Sequence, residues 1–402
     1  MGRMHQNFPR SPGEVFQASL KLGLTSFGGP VAHLGYFERL YVRERRWLSS
    51  QDFAGLVALC QLLPGPTSSQ VGFLVGLRRA GWPGALAAWL GFTLPSALLM
   101  YGFGRLALEV HGSVAQAVLH GLMLTAVAVV AQAVMSMART LCPDRERAAI
   151  GLVAAALLVH QNTAITQFLA MTGGAVAGAM LCRKLALSNW NAPAAVSRRA
   201  GFMALSAYAG MLFALPIASA FAPHSGVALA GIFYRAGAFV FGGGHVVLPL
   251  LHESMVPSGW VSDDTFLAGY GLAQGMPGPL FTLAAYLGAA SAPVQMSPLW
   301  ALLALFGIFL PGLLLAIAAL SLWTRIADVR ANAARAALAG INAAVVGVLG
   351  AALYRPVWTS SVHSGTDLLI VIAAFVLLMR WHIAPILVGA FCVIGSVAVA
   401  LV

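Results

Sequence analysis

Three observations predict an all-α polytopic membrane protein made of two inverted-topology repeats. Of the 402 residues, 59% are hydrophobic and 9% charged, with a mean hydropathy of +0.84, too apolar for a soluble chain of this length. Four motif blocks recur in register at a spacing of roughly 214 residues, which marks a domain-sized internal duplication. Phe27-Gly28-Gly29-Pro30 returns as Phe241-Gly242-Gly243-Gly244, and Trp47-Leu48-Ser49 as Trp260-Val261-Ser262. Gln61-Leu62-Leu63-Pro64-Gly65-Pro66 returns as Gln274-Gly275-Met276-Pro277-Gly278-Pro279, and GFTLP at 91–95 as GIFLP at 307–311. Third, loops that are basic in one copy are not basic in the other, as expected if the second copy is inserted upside down.

The first copy is assigned to 1–182. Met1–Pro12 carries Arg3 and Arg10 but no apolar stretch followed by a small-residue cleavage site, so no cleaved signal peptide is expected. Two broken apolar segments follow, 14–42 and 52–77, interrupted by Phe27-Gly28-Gly29-Pro30 and Pro64-Gly65-Pro66. Proline removes a backbone donor and keeps the residue before it out of the helical region. Each arm of 52–77 is about 12 residues, some 18 Å of helix, which reaches only the middle of a hydrocarbon core about 30 Å thick. Since 39–46 and 78–79 are both basic and belong on one side, a re-entrant hairpin fits better than a crossing. Full spans are expected at 82–108, 113–138, 147–161 and 163–181.

A cytoplasmic linker at 183–200 and an extra span at 201–222, with no counterpart, turn the second copy over. That copy, 223–402, repeats both breaks and has spans at 298–323, 335–356, 367–379 and 382–402. The total is roughly nine spans plus four re-entrant hairpins, or 10 to 13 membrane segments by other counts. Charge orients the whole. Arg39, Arg43, Arg45 and Arg46 fill the first loop of copy one, whereas Leu251–Asp264 has Glu253, Asp263 and Asp264 and no Lys or Arg. Arg139, Arg145 and Arg147 have no equivalents in Thr359–Asp367, while Arg325, Arg330 and Arg335 answer to the non-basic loop around Glu109. The N-terminus is therefore placed in the cytoplasm and the C-terminus in the periplasm, with Arg105 and Arg355 as exceptions.

Breaks at mid-membrane leave backbone groups unpaired, at several kcal/mol each, and are tolerated only beside protein or a wet cavity. Helix starts there present free N–H groups and about half a positive charge, which suits an anion. Thr67, Ser68 and Ser69 add hydroxyl donors after Pro64-Gly65-Pro66, and Thr282 makes a weaker set in copy two. Lys21 and Arg235 occupy matching positions six residues before each Phe-Gly-Gly, inside apolar arms, where a charge defaults to a functional hypothesis. All twelve acidic residues fall at segment ends or in loops, so the site should be cationic or dipolar. Proton coupling would then need histidine, and His120, on 113–138, is the candidate.

The candidate substrate-binding set is Lys21, Gly28, Gly29, Pro30, Pro64, Gly65, Pro66, Thr67 and Ser68, with Arg235, Gly242, Gly243, Gly244, Pro277, Gly278 and Pro279 from copy two. Cys60, Cys142, Cys182 and Cys392 are solitary, and no spacing points to a metal, redox centre or other cofactor. No nucleophile-base set suggests an enzyme. The net charge of +11 sits in short clusters between apolar runs, as topology determinants do, so the partner is the lipid bilayer and not nucleic acid.

Ser26–Pro30 (SFGGP), Tyr41–Ser49 (YVRERRWLS), Gln61–Gln70 (QLLPGPTSSQ), FGGGHVVLP at 241–249 and QGMPGP at 274–279 resemble the chromate ion transporter family in its long two-domain form. The resemblance implies a bacterial inner-membrane protein that exports chromate and confers chromate resistance, with sulfate, a similar tetrahedral dianion, as an alternative cargo. A homodimer is an open assembly state. Copy two departs from copy one in having Gly244 for Pro30 and Leu280-Phe281 where copy one has its Ser/Thr cluster. An anion channel of the same architecture is the rival reading.

Overall fold

The computed structural model describes residues 11–27, 29–106, 112–161, 163–182, 196–241, 244–326 and 331–401. Gly28, Gly242, Gly243 and most of the linker lie outside them. The described residues are helical with no strand.

Helix α1 (Pro12–Thr25) begins at Ser11, whose hydroxyl accepts from Glu14 N–H, with Pro12 at the first position where its missing donor costs nothing. It stops at the first break. α2 (Gly29–Phe37) follows and runs into a π-helical turn, Glu38–Glu44, before α3 (Ser50–Gln61), capped by Ser49. α4 (Thr67–Leu106) is two helices joined at a kink where Ala80 and Gly81 leave helical geometry, Gly81 at φ +67°. The arms fold back tightly: a Cβ on Gly76 would sit 2.4 Å from the Gly84 carbonyl oxygen, so only glycine fits. The hairpin expected over 52–77 is thus α3 plus the first arm of α4, and the second arm is the span expected at 82–108.

α5 (Ser113–Leu141), α6 (Arg145–His160) and α7 (Ala164–Leu181) complete the first copy. α8 (Arg198–Phe221) lies between the copies. Then the order repeats: α9 (Gly226–Phe239), α10 (Val247–Met255), α11 (Asp263–Gly275), α12 (Leu283–Ala290), α13 (Ser297–Ile326), α14 (Ala331–Ala352), α15 (Gly365–Arg380) and α16 (Pro385–Ala400). α1 and α9 are both 14 residues long. The π-helical turn after α2 carries the one residue by which copy one is longer there. Beyond it Arg46 and Gly259, 213 apart, share the left-handed region at φ +51° and +76°. Copy two differs in that the arms after its breaks start with single 3₁₀ turns, Gly244–Val246 and Leu280–Thr282.

Among the described residues five helices are long and apolar enough to cross a membrane: α4, α5, α8, α13 with the turn before it, and α14 with the turn after it. α6, α15 and α16 have 16 residues each and α7 has 18. Sixteen residues make about 24 Å of helix, so these complete a crossing only with flanking residues. The copies are interlaced. α5 packs on α15 and α16 of the other copy, and α14 on α6 and α7. In lipid such contacts depend on close backbone approach. A Cβ on Gly340 would lie 2.0 Å from the Gly174 carbonyl oxygen.

Candidate functional site

The breaks of copy one, together the first break, and those of copy two, together the second, grip each other. Gly65 N–H of the first Pro-Gly-Pro donates to Val240 O at the break ending α9, at 2.7 Å. Gly278 N–H of the second Pro-Gly-Pro donates to Ser26 O at the break ending α1, at 2.9 Å. Ser26 and Val240 are equivalent positions, as are Gly65 and Gly278, so these are one contact made twice. A buried N–H needs a partner, and these two glycine amides have found theirs in the opposite copy, which leaves the amides at the helix starts beyond each break as the backbone donors on offer. Both glycines have positive φ, +114° and +94°.

Gln70 braces the first crossing. Its Nε2 donates to Pro64 O at 2.8 Å and to Gly312 O on α13 at 3.0 Å, which fixes the amide orientation and leaves Oε1 buried without a partner. On α1, α2 and α4, which flank this break, several polar atoms are buried and unpartnered among the described residues: Ser26 Oγ, His33 Nε2, Ser69 Oγ and Thr93 Oγ1. His33, one turn into α2, is 2% exposed and its Nδ1 lies 3.4 Å from Ser68 Oγ. Its ring stands edge-on to Phe92 at 5.5 Å. An orphaned buried hydroxyl costs roughly 1–3 kcal/mol, so a group of them on one break points to a guest that they serve.

The second copy contributes a histidine to the first copy's break. His245 Nε2 is the nearest atom to where a Cβ on Gly29 would stand, at 3.9 Å, and Gly29 has φ +81°. Its Nδ1 lies 3.1 Å from Tyr270 Oη, with Gln274 Nε2 at 3.5 Å. At the second break the polar groups are spent internally, since the Thr282 hydroxyl and amide both donate to Pro279 O. Chemically, the first break combines hydroxyl and imidazole donors with the start of α4 and has no carboxylate among its members. Among the described residues no group of His, Cys, Asp or Glu is placed to hold a metal ion.

Of the sequence candidates, Gly29, Pro64, Gly65, Pro66, Thr67 and Ser68 belong to the first break, and Gly244, Pro277, Gly278 and Pro279 to the second. Gly28, Gly242 and Gly243 are outside the described residues. Lys21 is not among them in space: its side chain is 65% exposed and its Nζ is 3.8 Å from Glu44. A long stem lets the ammonium leave the apolar arm for a carboxylate in the loop. Arg235 is also exposed and lines a separate cavity. His120 Nε2 is 2.9 Å from Asp367 Oδ1, and Asp367 Oδ2 accepts from His363 and Ser364 N–H, so His120 is engaged at the start of α15. Sequence reasoning missed His33 and His245. Each follows a Phe-Gly-Gly within about a turn of helix, and that position was their signal.

The family model described as chromate transporter matches this chain twice, at residues 13–179 and 227–397. The chain is 30% identical over 351 residues to the chromate transport protein of Pseudomonas aeruginosa, covering 85% of this chain and 80% of the relative. It is 27% identical over 391 residues to the chromate transport protein of Cupriavidus metallidurans, covering 94% and 91%. A probable chromate transport protein of Synechococcus elongatus is 28% identical over 283 residues, 68% of each chain. No solved structure matches.

Proposed function

The chain belongs to the chromate transporter family, and from that membership we propose that it exports chromate across a bacterial inner membrane as a secondary transporter, lowering cytoplasmic chromate and conferring resistance. It is a multi-pass membrane protein. In this reading the N-terminus is cytoplasmic, the copies 1–182 and 223–402 have opposite orientation, and the oxyanion binds at the first break among Ser26, His33, Ser69 and the start of α4. The observation that carries the reading is the set of buried, unpartnered donors at that break, without a carboxylate beside them. Oxyanions accept hydrogen bonds and cannot donate them when doubly ionised, so hydroxyls and an imidazole that can turn a hydrogen outward, with no carboxylate to repel the charge, suit them.

Movement in place of a fixed pore is supported by unequal packing. α11 lies on α5 and α16, and a Cβ on its Gly271 would be 2.1 Å from Leu122 O, a contact only glycine allows. The equivalent residue on α3 is Ala58, and among the described residues α3 has no comparable seat on α14. α3 is therefore the arm with room to move while α11 stays seated, and alternating access needs one such part.

The test is radiolabelled chromate flux in proteoliposomes, with membrane potential and pH gradient imposed separately and sulfate as competitor. Slow, saturable flux driven by one gradient is expected. Unitary currents without saturation would replace the carrier with a channel, and sulfate transport without chromate transport would reassign the cargo.

A further inference from the structure

The duplication allows a residue-by-residue comparison of the place where each copy's arm meets its first loop. In copy one that place is closed by ion pairs. Lys21 meets Glu44 at 3.8 Å, and Glu14 meets Arg79 at 3.1 Å and Arg45 at 3.7 Å. Arg79 also lies over the Trp47 ring, 5.3 Å from its centre. In copy two the cation is kept and its acids are gone. Arg235 stands where Lys21 does, but Ala228 replaces Glu14 at a spacing of 214. Counted back from Trp260 at a spacing of 213, Pro257 replaces Glu44, the last residue of the π-helical turn, and Ser258 replaces Arg45. Trp260 keeps the place of Trp47.

Copy two instead has a cavity beside Arg235, walled on one side by Pro216 and Ser219 of α8. It has a volume of about 430 Å³ and is lined by Arg235, Ala228, His224, Ser254, Ser258 and Trp260, among others. Among the described residues no carboxylate pairs with Arg235, so its charge faces the cavity. The two serines hold their hydroxyls on helix carbonyls, Ser254 on Leu250 O at 2.9 Å and Ser258 on Ser254 O at 2.6 Å, and both can rotate toward a ligand. Arg235 lies five residues before Val240, about 7.5 Å of helix from the crossed break.

We propose that this cavity is an anion vestibule, separate from the crossed breaks, in which the Arg235 guanidinium takes a tetrahedral oxyanion on its way to or from the break. An anion from solution replaces the carboxylate that copy one carries in its own chain. A planar fork matches two oxygens of such an ion where an ammonium offers a point charge, which suits arginine here and lysine in the internally paired copy. This rests on the oxyanion-carrier reading for its cargo, and its test is an equilibrium measurement that needs no transport.

Chromate absorbs where indole emits, so chromate bound beside Trp260 quenches that residue, and a Trp260→Phe variant identifies its share of the signal. Full-length protein in nanodiscs of zwitterionic lipid is titrated with chromate, then with sulfate as competitor. Arg235→Gln is expected to weaken the Trp260-dependent quench tenfold or more. Ser258→Glu, with Arg235 intact, is expected to do the same because the new carboxylate occupies the guanidinium, while Ser258→Gln, which brings the bulk without the charge, should weaken it far less. Binding unchanged in both Arg235→Gln and Ser258→Glu would overturn the vestibule, as would quenching that Trp260→Phe does not alter. Loss of chromate binding on adding a few per cent of anionic lipid would make a headgroup phosphate the occupant and overturn it too. A protein that transports chromate but lacks the Trp260 signal keeps the carrier reading and loses the vestibule; one with the signal and no flux does the reverse.

Discussion

The two breaks began as one sequence and now differ in what they leave unsatisfied. At the first, Ser26, His33, Ser69, Gln70 and Thr93 all carry buried polar atoms without partners, while the nearby charges are neutralised in-house by Glu14 and Glu44. At the second, the Thr282 hydroxyl is consumed by Pro279 O, Leu280 and Phe281 stand where hydroxyls stood, and the charge left over is Arg235, out in the cavity. The contrast teaches that duplication has separated two tasks that one anion site would combine. One copy keeps neutral donors deep inside, where a bare charge would cost most, and the other keeps an uncompensated cation nearer water.

The largest effect that would break this comparison is at the crossing glycines. Alanine at Gly65 would need φ +114° and would bring its Cβ 2.8 Å from the Gly312 Cα, which is backbone and cannot rotate away. The left-handed conformation costs roughly 1–2 kcal/mol and overpacking about 1–3 more. Gly65→Ala is expected to lose thermal stability and membrane yield together. Gly278→Ala meets Ser96 Oγ at 2.8 Å, a side chain, so its loss should be smaller and partly restored by Ser96→Gly. Equal losses, with no restoration, would mean the two crossings are mechanically alike. Valine at Gly65 would on this geometry strike α13 first.

Next in size are the orphaned hydroxyls. If Ser26 and Ser69 serve a guest, each alanine variant should weaken chromate transport about tenfold or more, since a hydrogen bond to a charged group contributes about 1.5–3 kcal/mol. Melting temperature should stay level or rise, because the variant removes an unsatisfied buried group. Thr282→Ala, its hydroxyl already bonded to the backbone, should leave transport affinity unchanged. A transport loss at Thr282 matching that at Ser69 would restore equivalence between the breaks.

Smaller still is Lys21→Met. An exposed, screened pair such as Lys21 with Glu44 is worth about 0–1 kcal/mol, so flux and stability are expected to remain near wild type, in contrast with Arg235. A tenfold loss of chromate uptake in Lys21→Met would return Lys21 to the binding path.

The smallest effect concerns the first loop of copy two, where His252 Nε2 meets Asp263 Oδ1 at 2.6 Å. Burial alone would raise the Asp263 carboxyl, but hydrogen bonds from His252 and Ser360 more than offset it and hold it below the usual carboxylate range. A carboxyl depressed on folding contributes stability above its unfolded pKa of about 3.9 and loses it as pH falls through the folded value. Melting temperature should therefore drop on acidification below about pH 4, and less so in Asp263→Asn. A pH profile identical in the two proteins would remove this clamp.

Much of the helical layout was legible because membrane segments obey length and charge rules that a sequence displays directly. Helix ends fall within a few residues of the apolar runs, and Pro64-Gly65-Pro66 and Ser26–Pro30 interrupt the chain where their residue types require. The lining of the site was less legible, for two physical reasons. Lys21 looked buried because its neighbours are apolar, yet a flexible stem and Glu44 in the next loop take its charge outward, which local sequence does not encode. The bonds from Gly65 to Val240 and from Gly278 to Ser26 join residues far apart in the chain through backbone atoms, which carry no side-chain signature. His33 and His245 could have been found by asking which titratable side chains sit one turn past each break.

The crossed amide bonds also bear on inheritance. Because each copy's loop closes on the other copy's helix end, neither can be rewritten alone without unseating its twin, so substitutions at Ser26, Gly65, Val240 and Gly278 should be compensated, when they are, from the opposite half of the gene. Two half-length polypeptides cut in the linker would each present an open loop and an open helix end that only the other satisfies. Coexpressed, they are expected to reassemble, and either one alone to be degraded.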